Sequence, residues 1–182
     1  IDPPRVLNGV NLARFSRFPN GIESTLKDRF SLHHPLYLTV GGIEPRKNSL
    51  NLLKAFALVQ AQIPTAQLVI AGGATLFDYQ PYRQQFFELV EQLDLHQSVI
   101  VTGVLTGDEL AALYRLADAF VFPSVKEGWG LVLLEAIASG LPVITSNQPP
   151  FTEFLSPLQA LWVNPETPSD IATAMYSILQ PE

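Results

Sequence analysis

The sequence contains no cysteine, which leaves no route to a disulfide or a thiolate metal site and no redox signature to read. Charge is scarce: Asp, Glu, Lys and Arg make up 15% of the 182 residues and sum to −6. The acids are scattered rather than in runs, which argues against nucleic acid as a partner and against binding to anionic membranes by this segment alone. No apolar run approaches the ~18 residues that a membrane-spanning helix requires, and no signal-peptide pattern is visible. Histidine is rare, and the tandem His33-His34 sits in a loop with no evident third ligand, so solvation is the expectation there rather than metal binding. There is no internal repeat or low-complexity stretch.

What is present suits one α/β domain. Hydrophobic residues reach 47%, as expected for a sheet covered on both faces. A chain of this length can bury roughly 70% of its unfolded surface. Because it begins at Ile1 rather than methionine, the chain is expected to be a piece of a longer protein.

The pattern is organised around residues 119–142. Ala119 to Phe122 is short, apolar and closed by Pro123, the mark of a buried parallel strand. A loop with Lys126, Glu127, Gly128, Trp129 and Gly130 follows, then a helix from Leu131 to Ser139 stopped by Gly140 and Pro142. Strand, glycine loop, helix aims free backbone N–H groups at an anion on the helix N-terminus. Gly128 and Gly130 remove side chains that would hold a ligand off the backbone. Glu127 and Glu135, eight residues apart, flank that anion site. Acids beside a phosphate site are electrostatically unfavourable unless they grip hydroxyl groups, and a sugar nucleotide offers both phosphates and hydroxyls. The bland reading makes Glu135 a rim residue or one satisfied by an internal partner.

A second anion site has the same logic. Leu36 to Gly41 reads as a strand, Gly41-Gly42 as its turn, and Arg46-Lys47 as paired cations ahead of an amphipathic helix from Ser49 to Gln62. Further strands are expected at Gln67–Ala71, Val99–Thr102, Val143–Thr145 and Ala160–Val163. Helices are expected at Ser24–Phe30 with Ser24 as cap, up to Leu93 after Pro81, and from Pro168 to Leu179. Gly72-Gly73 closes the second strand as ordinary turn chemistry, Asp78 and Tyr79 belong to a surface loop, and Thr106 with Glu109 has the spacing of a capping box. The alternation gives a doubly wound, mostly parallel sheet of Rossmann-like topology, with ligands at the carboxyl ends of the strands.

Glu127-Gly128-Trp129-Gly130-Leu131, then Glu135-Ala136, then Gly140-Leu141-Pro142-Val143, resembles the E-x7-E signature of retaining GT-B glycosyltransferases, the group 1 type. Gly-x-x-Glu-Pro-Arg-Lys-Asn at 41–48 resembles the family's basic motif. Asn8-Gly9-Val10 with Phe15 resembles the segment that enters the domain from the interdomain linker, although Asn11 stands where an aspartate is usual. The resemblance implies the C-terminal, donor-binding half of such an enzyme, with residues 1–35 as linker and entering segment and 36–182 as the Rossmann-like domain. It implies that Glu127 contacts the donor sugar, Glu135 the ribose hydroxyls, and the amides of the glycine loop the diphosphate. Lys47, with Arg46, neutralises that diphosphate; Gly103-Val104 lies near the nucleobase, and Trp129 belongs to a lid. Many relatives carry an arginine where this sequence has Gly42, so Arg46 either substitutes for it or faces solvent or Glu44.

The expected activity is transfer of a sugar from a nucleoside-diphosphate sugar to a glycan or lipid-linked hydroxyl, without cofactor or metal. The acceptor is expected on a missing N-terminal domain, which also provides any peripheral membrane contact of a cytoplasmic enzyme. A sugar-nucleotide epimerase and a non-catalytic nucleotide-binding module are the competing readings.

Overall fold

Six strands line up in parallel in the order β3-β2-β1-β4-β5-β6, with the reversal of strand order falling between β1 and β4. They are β1 (Leu36–Val40), β2 (Gln67–Ala71), β3 (Val99–Gly103), β4 (Ala119–Phe122), β5 (Val143–Ser146) and β6 (Leu161–Val163). The computed structural model describes residues 9–72 and 79–180. Asn8, Gly73 and Asp78 lie outside them.

Strand side chains alternate between the faces, as the two-residue period of a pleated strand dictates. Leu36, Leu38, Phe120 and Phe122 enter one core, Tyr37, Ala119 and Val121 the other. The first core is covered by α1 (Glu23–Phe30), α4 (Gly107–Leu116), α5 (Leu131–Ala138) and α6 (Phe151–Phe154). The second is covered by α2 (Ser49–Gln62), α3 (Gln80–Gln92) and α7 (Pro168–Ser177). With both faces covered, β1, β2, β4 and β5 are almost wholly buried, and β4 is entirely apolar. The sheet is thus doubly wound and entirely parallel. Among the described residues no helix is long and apolar enough to cross a membrane.

The segment ahead of β1 adheres to the first core, where Phe15 and Leu26 are buried. Ion pairs tie it to α4, Arg14 to Asp108 at 3.1 Å and Arg29 to Glu109 at 2.9 Å. Exposed pairs of this kind contribute no more than about 1 kcal/mol each, so the buried apolar residues hold the segment down. Ser24 does not cap α1. The helix starts one residue earlier, and Glu23 folds back to accept the N–H groups of Asn20 and Gly21 at 3.1 and 3.0 Å. A carboxylate in the first turn also suits the helix dipole better than a hydroxyl does. Thr106 and Glu109 form the reciprocal capping box that their spacing predicts. Asp118 is structural: it accepts the Leu36 N–H at 2.6 Å and contacts His34 Nδ1 at 2.7 Å, so His34 is engaged rather than merely solvated.

Candidate functional site

At the carboxyl ends of β1 and β4 two loops face each other across the point where strand order reverses. One runs from Gly41 to Asn48, the other from Pro123 to Gly130. Asn48 braces them: its side-chain amide donates to the carbonyls of Pro123 (3.0 Å) and Pro165 (2.6 Å), joining the loops after β1, β4 and β6.

The charged residues meet here. Lys47 Nζ donates to Glu127 Oε1 at 2.6 Å, and Arg46 reaches Glu127 Oε2 at 3.0 Å and Glu44 Oε1 at 2.6 Å. Arg46 therefore faces Glu44 and the site at once. The Glu127 and Glu44 side chains are only 9% and 4% exposed, and such buried carboxylates need close cationic partners. The Ser124 hydroxyl lies between the Arg46 carbonyl (2.7 Å) and Glu127 Oε1 (2.8 Å), with one proton to give. Lys47 also stands 4.4 Å from the centre of the Phe122 ring, and its stem runs across Gly41, where a Cβ would fall 2.9 Å from Lys47 Cε. Burial pulls the Lys47 ammonium below its usual range, opposed by the Glu127 carboxylate. Two cations and two carboxylates balance, so any anion that enters has to compete with Glu127 for them.

The loop then delivers Gly128, in open space, and Trp129, stacked on Phe154 at 5.3 Å. Gly130 follows with φ +89°, a conformation that side-chain-bearing residues avoid, and it turns the chain into α5 at the partly exposed Leu131. Trp129 is therefore held by α6. Glu135 lies on the second turn of α5, half-buried, and the Tyr114 hydroxyl of α4 is 3.0 Å from its Oε2 and 3.1 Å from the Val132 carbonyl.

A cavity of about 330 Å³ opens beside the charged loops. It is lined by the ends of β1 and β2, by Gly42 and Gly72, and by Val104, Leu105 and Leu110. Val104 is 83% exposed. Gly103 lines a separate cavity of about 180 Å³ with Arg83 and Val101. The structure thus gathers Lys47, Arg46 and Glu127 into one network, and Gly42 and Val104 into an adjoining cavity.

The family model for group 1 glycosyl transferases matches residues 25–182. The chain belongs to this family. Along its whole length it is 36% identical to the serotype-specific mannosyltransferase WbdA of Escherichia coli, of which it spans 22%. By fold it is similar to the C-terminal domain of the group 1 protein LpcC from Francisella tularensis, with a TM-score of 0.77 at 24% identity over 94% of this chain and 88% of that one. It is also similar to Anabaena HepE, solved with UDP and glucose, with a TM-score of 0.85 at 19% identity over 95% of this chain and 46% of that one. At these identities the two structures show the GT-B fold.

Within this group 1 glycosyltransferase domain, sequence reasoning named Glu44 as one partner open to Arg46, but it missed Ser124, Tyr114 and the bracing role of Asn48. Ser124, directly after the strand-closing Pro123 and three residues before Glu127, carries the one signal that local spacing offers. Tyr114 reads as an ordinary core aromatic of an amphipathic helix.

Glu135 is held at a thermodynamic disadvantage. Burial lifts its carboxyl above the usual range, and the Tyr114 hydrogen bond offsets this only in part. A carboxyl raised in the fold binds its proton more tightly folded than unfolded, so stability falls as pH rises from the ordinary carboxyl range through the raised value. Glu135→Gln keeps a carbonyl for Tyr114 and removes the charge. Thermal melts are expected to show the variant more stable at pH 7, with the gap closing towards about pH 4. An equal gap at both pH values would assign the effect to packing instead.

Proposed function

We propose that this chain is the donor-binding half of a retaining glycosyltransferase that moves a sugar from a nucleoside-diphosphate sugar to a hydroxyl of a glycan or glycolipid. The observation that carries the reading is the meeting of Lys47 and Arg46 with Glu127, on the loop that leads into the N-terminus of α5. Membership of the family and the 36% identity to a mannosyltransferase support it. HepE binds UDP on the same fold, which is consistent with it.

In this reading the diphosphate sits between the two cations and the backbone N–H groups at Gly130-Leu131. Those groups stabilise the charge that grows on the departing phosphate. The base occupies the cavity by Val104, Glu135 takes the ribose hydroxyls, and Glu127 turns from the cations to the sugar hydroxyls. Attack comes from the face that the leaving group departs, assisted by the leaving phosphate, with no glutamate serving as covalent nucleophile. The acceptor binds on a further domain across the cleft, and the isolated domain turns over little or nothing.

Calorimetry of the chain against UDP, GDP, ADP and their sugar conjugates tests this. One diphosphate series is expected to bind. Lys47→Ala is expected to weaken it by about 1.5–3 kcal/mol, the range of a charge-assisted hydrogen bond, or roughly tenfold to a hundredfold. Binding of none of the nucleotides, or a Lys47→Ala protein that binds as the parent does, would overturn the reading.

A further inference from the structure

The two carboxylates of the glycine loop and its helix have unlike surroundings. Glu127 is met by Lys47, Arg46 and Ser124. Glu135 has no cation at hand among the described residues. The Tyr114 hydroxyl, 3.0 Å from Oε2, is its one side-chain partner there and the one titratable group that acts on it. The other oxygen, Oε1, has no partner among the described residues and keeps contact with solvent. A half-buried carboxylate with one oxygen bonded and one open is short of hydrogen-bond donors.

The helices bring this pair close beneath the charged loops. Leu110 lines the 330 Å³ cavity, and Tyr114 lies one turn further along the same face of α4. Leu131 begins α5 at the end of the glycine loop, and Glu135 lies one turn below it. A turn is roughly 5–6 Å, and helical side chains lean back towards the N-terminus of their helix. Both side chains therefore rise towards the loops.

The Tyr114 ring is wholly buried, edge-on to Phe15 at 5.8 Å and tilted against Phe120 at 5.5 Å. Packing thus fixes where its hydroxyl points. The hydroxyl has one proton to give. The Val132 carbonyl, 3.1 Å away, already serves the backbone ladder of α5, so the carboxylate is the stronger claimant. Burial and the neighbouring Glu135 carboxylate push the hydroxyl far above its ordinary range, which keeps it a donor near neutral pH.

We propose that Tyr114 is a positioning residue for donor recognition: by holding Oε2 it turns Oε1 of Glu135 outward, to accept the hydroxyl pair of the donor's ribose. This rests on the reading above that Glu135 takes those hydroxyls. Without the phenol the carboxylate turns broadly about its last bond, and the diol meets an acceptor with no set direction. The same bond opposes the burial that raises the Glu135 carboxyl, so it also keeps more of the group in the ionised, accepting form.

The test is calorimetry of the chain and of Tyr114→Phe with UDP, GDP and ADP and with their 2′,3′-dideoxy counterparts. In the parent, the diphosphate that binds is expected to bind about tenfold or more tightly than its dideoxy counterpart. Tyr114→Phe is expected to narrow that preference about fivefold, the worth of one hydrogen bond, and to leave the dideoxy affinity unchanged. In a Glu135→Ala background the same replacement is expected to alter the preference no further. Phenylalanine fills the same space, and thermal melts confirm the fold. A ¹³C titration of the Glu135 carboxyl gives a second readout, with its midpoint expected at higher pH in Tyr114→Phe than in the parent. Equal weakening of both nucleotide forms would make Tyr114 a packing residue only. An undiminished preference or an unmoved midpoint would likewise overturn the proposal. A parent chain that binds nucleotide without any ribose preference would refute the reading of Glu135 itself, and the role of Tyr114 with it.

Discussion

Replacing Glu127 by glutamine in the full-length transferase is expected to lower turnover about a hundredfold or more, while the nucleoside diphosphate binds as tightly as before or more tightly. The two halves of this outcome come from the same contacts. Without ligand, the Glu127 carboxylate is the anion that Lys47 and Arg46 hold, at 2.6 and 3.0 Å. In the proposed function a diphosphate has to displace it. Glutamine keeps the shape and a carbonyl for Ser124, but drops the charge that competes for the cations. Diphosphate affinity therefore does not fall. In the proposed function the reacting sugar, in contrast, loses the charged acceptor that fixes its hydroxyls, and an interaction felt mainly in the transition state is expected to appear in kcat. Product formation by the full-length enzyme measures the first half, calorimetry with the diphosphate the second. Near-parental turnover would remove Glu127 from the chemistry. A parallel fall in diphosphate affinity would make it a strut that positions Lys47.

The contrast between this network and its surroundings shows what a sequence carries. All six strands are legible, with ends displaced by no more than a residue, because each is an apolar run closed by glycine, proline or a polar turn. The Thr106 capping box is legible because its partners are three residues apart. Glu127 and Lys47 are legible as members of motifs, but their bond spans 80 residues of chain and depends on strand order. Asn48, at φ +59°, gives no local hint that its amide joins three loops, since Pro123 and Pro165 lie 75 and 117 residues away. Ser24 misled because a hydroxyl at a helix start is a familiar cap, whereas the adjacent Glu23 serves two N–H groups with one carboxylate and pairs with Arg115 besides. The cavity beside Arg115, where β4 and β5 begin, is illegible for the same reason as the Asn48 brace: its walls come from α4, the turn after α5 and the segment before α1, and no linear spacing unites them.

The largest effect on stability is expected at Gly72, just past the end of β2. A Cβ there would stand 1.9 Å from the Gly41 carbonyl oxygen and 2.6 Å from its carbon. Both obstacles are backbone, so no rotamer change relieves the clash. The ends of β1 and β2 must part, against the Gly41 N–H bond to the Ala71 carbonyl at 2.9 Å. Gly72→Ala is therefore expected to destabilise the domain by about 3 kcal/mol, the upper part of the range for overpacking, or a fall in Tm of roughly 6–12 °C for a domain of this size. The control is Gly128→Ala, where an added Cβ meets nothing within 4 Å and the change is expected to stay within about 0.5 kcal/mol. Thermal melts of the two variants decide the matter, and equal values would refute the close approach. The displacement also reaches the site, because the Lys47 stem rests on Gly41 and the 330 Å³ cavity is floored by Gly41, Gly42 and Gly72. Below its lowered Tm, Gly72→Ala is thus expected to bind nucleoside diphosphate more weakly than the parent chain does. Calorimetry well under both melting points separates this local effect from loss of fold.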